Sequence, residues 1–545
     1  MRKILLTMAA AAAAFAATSC DSLLNPRQID LIYNEVFWES QTDAEVGLAG
    51  VYALYRGLMA SGHNWYSRAD ATTGFVRAGW NGGSPRGLYT VGNYSDITVD
   101  EKMWGSPGLE SYCDWSSFYK VVAQANLVIA KVEEMDDSVF KTGAKDRILG
   151  EAYFLRALVY FNILRIWGNA PYISDSIESS SQVINKDLTP VLIPRTEDIE
   201  IASNVIADAA TAVSLLDFGI PGDARWGIFA NKGSAEALYA EANMWMWFLA
   251  KRDRIPGVMK YVQEAVNALE DLRDNGGYSY APYTPEGVRN MYLGRSVEAV
   301  FECNISVDQN ESYRADQSGV TSITCKMESF DGDPTKDRGT QIDWVPFSQK
   351  KNLYPEYDFE TGTGDIRPGL FFEAWDSEYN DAVNDVPGNT ANDRTKITWM
   401  KKYAQFSEDT YRKQDEYVAY FAQCNIPVFR YTGCMLLLAE AYYRIDEPGK
   451  AREIVNAIRS RAGLETWVGS DEDLLYEILQ QDFAEMFGEG RIYFDMVRNN
   501  YFPNEHLMPA LKYKQRGYYW PVSSSILSMN TMVGQTPYWN GKTKW

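Results

Sequence analysis

The stretch Cys434–Leu464, CMLLLAEAYYRIDEPGKAREIVNAIRSRAGL, decides the fold. Two runs of good helix formers flank a break at Pro448-Gly449. Ala439, Tyr442, Ala451 and Val455 recur at helical spacing, with small residues where two helices cross closely. The pattern predicts an antiparallel helix pair with Pro448-Gly449 as its turn.

The spacing is tetratricopeptide-like, so similar pairs are expected elsewhere. Between Asp114 and Met135, Trp115, Phe118, Tyr119, Val122, Ala125, Ile129 and Val132 mark one helical face. KDRILGEAYFLRALVYFNILRIW, Lys145–Trp167, is apolar on most of its circumference and stops at Gly168-Asn169-Ala170-Pro171. Thr196 is placed to cap a helix running to about Leu216, with Glu197 and Asp198 in its first turn. Helices follow over about Asn231–Ala250, Gly257–Arg273 and Asp471–Phe487, the last capped by Ser470. The fold expected is mainly α: a tetratricopeptide-like helical-pair scaffold with long irregular loops forming a ligand-binding face. Scaffold is expected over about 40–60, 114–275 and 430–499, and loop-rich chain over about 61–113 and 276–429. Loops this long are usually functional.

Composition narrows the function. Of 545 residues, 52 are basic and 73 acidic, a net charge of −21. Nucleic acid is excluded as a partner, because phosphates need a basic face. His63 and His506 are the two histidines, too few for a three-His zinc site, and no H-E-x-x-H occurs. The acidic stretch Asn380–Arg394 lacks calcium-loop spacing, so no metal is assigned. No cofactor motif stands out. There is no G-x-S-x-G, and Glu151, Glu241, Glu440 and Glu485 fall on scaffold helices, where ion-paired structural roles are expected. No catalytic residue is assigned.

The N-terminus reads as a targeting segment over residues 1–19: basic Arg2 and Lys3, apolar Ile4–Ala17, then Thr18-Ser19 before Cys20. The small-small-Cys ending resembles the lipobox of bacterial lipoproteins, although Ala17 stands where a branched aliphatic is commoner. It implies lipidation at Cys20. The remaining cysteines, Cys113, Cys303, Cys325, Cys424 and Cys434, form no C-x-x-C pair. They are expected as buried thiols, with Cys303–Cys325 or Cys424–Cys434 as alternative bridges.

The loops are rich in rings. Ala60–Cys113 carries Trp65, Tyr66, Trp80, Tyr89, Tyr94 and Trp104 among Arg68, Asp70, Asn81 and many glycines. Flat aromatic faces meet the C–H faces of sugars, and amides and charged groups meet the hydroxyls. Some of these rings will instead anchor the loops to the scaffold.

In order along the chain, FWESQTDAEVGLAGVYALYR, DWSSFYKVVAQANLVIAKVEE, GEAYFLRALVYFNILRIWGNAPYI, FRYTGCMLLLAEAYYR and ILQQDFAEMFGEGRIYFDMVR complete a pattern. It resembles the SusD/RagB-like family of outer-membrane nutrient-binding lipoproteins. The resemblance covers nearly the whole chain and makes residues 20–545 a single domain. It implies a cell-surface, lipid-anchored protein, not an enzyme, that captures oligosaccharide and passes it to a SusC-like TonB-dependent transporter. The alternatives are a peptide-binding RagB-type uptake protein and a secreted α-helical glycoside hydrolase or lyase. The family's site lies in the early loop and in loops of the middle third, where Tyr280, Tyr283, Tyr292, Trp344 and Phe347 are candidates. The expected ligand-binding residues are Trp80, Asn81, Trp104, Tyr283 and Trp344.

Overall fold

The computed structural model describes residues 37–60, 64–76, 109–178, 182–185, 190–304, 345–376, 398–403, 411–414, 417–420, 424–503 and 506–543. Ten helices of these segments form the scaffold: α1 Gln41–Ala60, α2 Ser116–Glu134, α3 Ala144–Trp167, α4 Asp198–Leu215, α5 Lys232–Arg252, α6 Met259–Asn275, α7 Tyr431–Arg444, α8 Pro448–Arg461, α9 Leu474–Met486 and α10 Ile492–Asn499. Each packs largely on its neighbours in sequence: α1 on α2, α2 on α3, and so on to α6 on α7, with α7 between α8 and α9. This succession of helix pairs is the tetratricopeptide-like scaffold expected.

Position in the stack explains each helix's composition. α3 lies between α2 and α4, and α5 between α4 and α6, so both bury nearly their whole circumference. α6 packs on α5 and α7 with one face, and its buried Val262, Ala265, Val266, Leu269 and Leu272 follow a single stripe. α5 starts with a capping box, the Asn231 side chain accepting the Ser234 N–H while the Ser234 hydroxyl accepts the Asn231 N–H.

Three local expectations need correction. Thr196 does not cap α4, because its backbone pairs with Ala170 as an isolated bridge. Glu197 takes the cap position, and the Asp198 N–H is accepted by Asn169 Oδ1 at 3.0 Å. α9 begins at Leu474 rather than Asp471, and Ser470 caps only the turn before it, accepting the Asp473 N–H at 3.3 Å. The reversal between α7 and α8 is made by Asp446, at φ 64°, while Pro448 stands inside the first turn of α8.

The described parts of the middle third hold regular elements that their composition did not suggest. Pro285–Leu293 is a helix capped by the Thr284 side chain. Strand β1, Ala299–Cys303, pairs antiparallel with β2, Ile426–Arg430, which leads directly into α7. The C-terminal residues also pack inward: Trp520 donates its indole N–H to the Arg68 carbonyl, and its backbone N–H to that of Ile166. Cys113 and Cys434 are buried free thiols, so no Cys424–Cys434 bridge forms, and the Cys424 S–H donates to the Tyr403 carbonyl. Cys325 and Cys20 lie outside the described residues.

Candidate functional site

The turn Phe487–Arg491, between α9 and α10, is where distant parts of the chain meet. Gly488 has φ 86°, a left-handed conformation that favours glycine, and a Cβ there would press on the Met400 thioether. Asp70 Oδ2 accepts the N–H groups of Gly488 and Gly490 at 2.8 and 2.9 Å. The Tyr403 hydroxyl donates to the Gly488 carbonyl at 3.0 Å. Phe75 meets Phe487 edge-on, and Phe372 stacks on Phe487. The Val345 N–H donates to the Thr398 carbonyl, and the Thr398 hydroxyl to that of Ala374. Residues beside segments 77–108 and 404–410 thus meet the turn directly, and those that border 305–344 and 377–397 join it through the strand that carries Phe372.

The base beneath this turn is a buried ionic network. Arg430 reaches Glu298 at 2.8 Å and Glu489 at 3.0 Å. Arg461 reaches Glu298 and, at 3.1 Å, Glu485. Arg367 holds Asp365 at 2.5 Å and Glu485 at 3.1 Å. Lys402 donates to Glu489 and to the carbonyls of Glu485 and Phe487. Four cations face four carboxylates, so the cluster balances internally. Burial disfavours the Glu298 charge, but Arg461 and Arg430 outweigh it and hold the carboxyl at about 2. Burial lifts Asp70 to about 7 against the pull of the Gly490 and Gly488 N–H groups.

The residues expected at the site divide sharply. Trp80, Asn81, Trp104 and Trp344 lie outside the described residues. Tyr283 does not face a ligand: it is 9% exposed, donates its hydroxyl to Glu485 and accepts from Arg461 at 2.6 Å. Tyr292 is likewise buried and donates to Glu489 at 2.8 Å. In the early loop, Tyr66, Arg68 and Asp70 belong to the core. The Arg68 guanidinium packs over Trp167 and Phe118, each 5.4 Å to the ring centre.

Sequence reasoning named Phe347 but missed the rings it joins beside the turn. Phe347, Tyr357 and Phe359 are half-buried around Trp375. Phe359 stacks on Trp375 at 24°, Tyr357 and Phe347 meet Phe359 edge-on, and the Tyr357 hydroxyl donates to Asp376. Exposed Thr361 and Thr363 hydroxyls stand on the adjoining hairpin. The alternating aromatics of YDFETGTG were the available signal. Half-exposed rings beside hydroxyls and a carboxylate suit stacking and hydrogen bonding.

The four helical glutamates are engaged as expected. Glu151 accepts from Tyr52, Arg147 and Arg225, Glu241 from Arg491, and Glu440 from Arg444 and Arg498, while Glu485 sits in the network above. Among the described residues no cluster of three or more His, Cys, Asp or Glu could hold a metal ion.

Two family models match the chain in order. Residues 88–218 match the model described as starch-binding proteins associating with the outer membrane, and residues 345–510 match the SusD family. A SusD-like protein of Formosa agariphila is 26% identical over 502 residues, 88% of each chain. The chain belongs to the SusD/RagB-like family. A SusD-like protein of Bacteroides ovatus is 29% identical over 205 residues, 36% of this chain and 32% of that one. Among solved structures, a SusD homologue of Bacteroides thetaiotaomicron matches with a TM-score of 0.72 at 22% identity, covering 92% of this chain and 99% of that one. A SusD superfamily protein of Bacteroides fragilis matches at 0.65 and 17%, covering 92% and 99%. These last two share the fold. SusD-like proteins are in general glycan-binding surface proteins rather than enzymes.

Proposed function

We propose that this member is a lipoprotein anchored in the outer membrane through Cys20, which captures oligosaccharide at the cell surface and passes it to a SusC-like TonB-dependent transporter. The observation that carries this reading is the convergence of the chain around Phe487–Arg491. A rigid, ion-paired base holds the borders of several long segments together, which is how a scaffold presents binding loops. Trp80 and Asn81 are the proposed stacking and hydrogen-bonding pair, supported by Trp104 and Trp344, with the Phe347–Trp375 rings extending the face.

An aromatic plane loses little entropy when a sugar ring lies on it. Delivery also requires release, so an open face suits the task better than a closed pocket or a covalent step.

Electrophoresis through gels containing candidate polysaccharides, paired with a reducing-end assay, tests the reading. Retarded migration with intact polymer supports it. Release of reducing ends would make the protein a glycoside hydrolase or lyase. Binding of peptides with no retardation by any glycan would replace the ligand class. Copurification of a SusC-like barrel from detergent-extracted membranes tests the partner, and its absence would contradict the transfer role.

A further inference from the structure

A cavity of about 50 Å³ lies where the end of α1 meets α3, α5, β2 and the turn after α9. Half-buried Asn162, Arg165 and Gly490 line it, so it opens at the surface beside them. A water needs about 10–15 Å³ on this measure, so the space holds roughly three or four water-sized groups. That suits a carboxylate but not a sugar ring.

Two donors in its wall are unused. The Arg165 guanidinium is sandwiched between Phe161 and Phe494, 4.2 and 4.5 Å from the ring centres. It makes one hydrogen bond, from Nη2 to Asn162 Oδ1 at 2.8 Å, and its Nε–H has no partner among the described residues. The Tyr55 hydroxyl, on a residue 2% exposed, also has none. Buried donors are nearly always matched by protein, water or ligand.

The charges around the cavity leave Arg165 apart. Glu241 is held by Arg491 at 2.9 Å, and Glu489 by Arg430 and Lys402 at 3.0 Å. Among the described residues no carboxylate lies within ion-pair distance of Arg165. Arg68 and Arg491 also line the cavity, adding to the positive side. Burial lowers Arg165 to about 10, which keeps it a cation at neutral pH.

We propose that this cavity is an anion subsite, taking one carboxylate on the free edge of Arg165 with the Tyr55 hydroxyl as a further donor. The planar guanidinium fork matches a carboxylate in two parallel hydrogen bonds, and the two flanking rings fix its orientation. The carboxylate belongs either to an acidic sugar such as a uronic acid or to a small free acid. The first source rests on the glycan-binding reading above and narrows its ligand to acidic saccharides; the second does not depend on it.

Calorimetric titration of the full mature chain with acetate, glucuronate and glucose tests this. Glucuronate binding more tightly than acetate identifies the acidic sugar, and equal binding of the two identifies the free carboxylate. Tyr55→Phe removes only an unbonded hydroxyl and should weaken carboxylate binding about three- to tenfold. Arg165→Gln should weaken it at least about tenfold. The cavity holds water alone, and the proposal fails, if neither carboxylate binds or if Tyr55→Phe binds as the wild type does. It fails equally if glucose binds as well as glucuronate. Should Arg165→Gln not fold, the Tyr55→Phe comparison decides. Failure of every glycan, neutral or acidic, to bind, with acetate binding retained and sensitive to Tyr55→Phe, would overturn the glycan reading and leave this subsite standing.

Discussion

The Asp70 carboxylate accepts the Gly488 backbone N–H at 2.8 Å across 418 residues of chain. The same oxygen holds the Gly490 N–H, so one side chain ties the segment before residue 77 to the turn between α9 and α10.

This geometry makes a pH-dependent prediction. Burial, opposed by the two glycine N–H groups, raises Asp70 to about 7, against about 3.9 for an unfolded aspartate. Between about pH 4 and 7 the folded chain therefore keeps a proton that the unfolded chain has released. The resulting stabilisation is full below pH 4 and is lost as pH rises towards 7. Asp70→Asn keeps the acceptor and removes the titration. Its stability relative to wild type should rise by on the order of 1.4 kcal/mol per pH unit across that window. Urea melts of both proteins at several pH values measure this, and a flat difference would mean that Asp70 is ionised in the folded chain.

Ala439 and Ala451, both 0% exposed, lie in the packed pair α7–α8. Enlarging either to Leu should cost about 1–3 kcal/mol by overpacking. Thermal melts should show a lowered midpoint for each, whereas Trp80→Ala should shift it much less if that ring is a ligand platform.

Tyr283 provides a test of its reassignment from ligand contact to core. Its hydroxyl is shared between Glu485 and Arg461. Tyr283→Phe leaves those charged groups short of a partner and should cost about 1–3 kcal/mol of stability. Oligosaccharide affinity, measured where the variant is fully folded, should stay at the wild-type value. A loss of affinity without a loss of stability would return Tyr283 to the ligand face.

Cys20→Ala should move the protein from the membrane to the soluble fraction, because stable anchoring needs two or more acyl chains. Fractionation in cells lacking the partner transporter is the check, and full membrane retention there would contradict lipid anchoring.

The scaffold was readable because helix burial is a local pattern. Lys145–Trp167 announced a doubly packed helix by its nearly continuous apolar circumference, and α3 spans Ala144–Trp167. The site was harder to read. Arg68, Asp70 and Tyr283 sit among glycines and aromatics that look the same whether a ring meets sugar or protein. What separates the cases is a partner far along the chain: Trp167 and Phe118 for Arg68, Gly488 for Asp70, Glu485 for Tyr283. Composition carries no record of such partners. Helix starts failed for a similar reason, since the Asp198 N–H is accepted by Asn169, which precedes the helix by 29 residues.

Calorimetry of wild type and Trp80→Ala with an oligosaccharide that retards the protein in gels bears most directly on the proposed aromatic binding face. With folding verified by circular dichroism, Trp80→Ala should bind about 1–2 kcal/mol more weakly, roughly five- to thirtyfold. Unchanged affinity in the folded variant would contradict a glycan site built on Trp80.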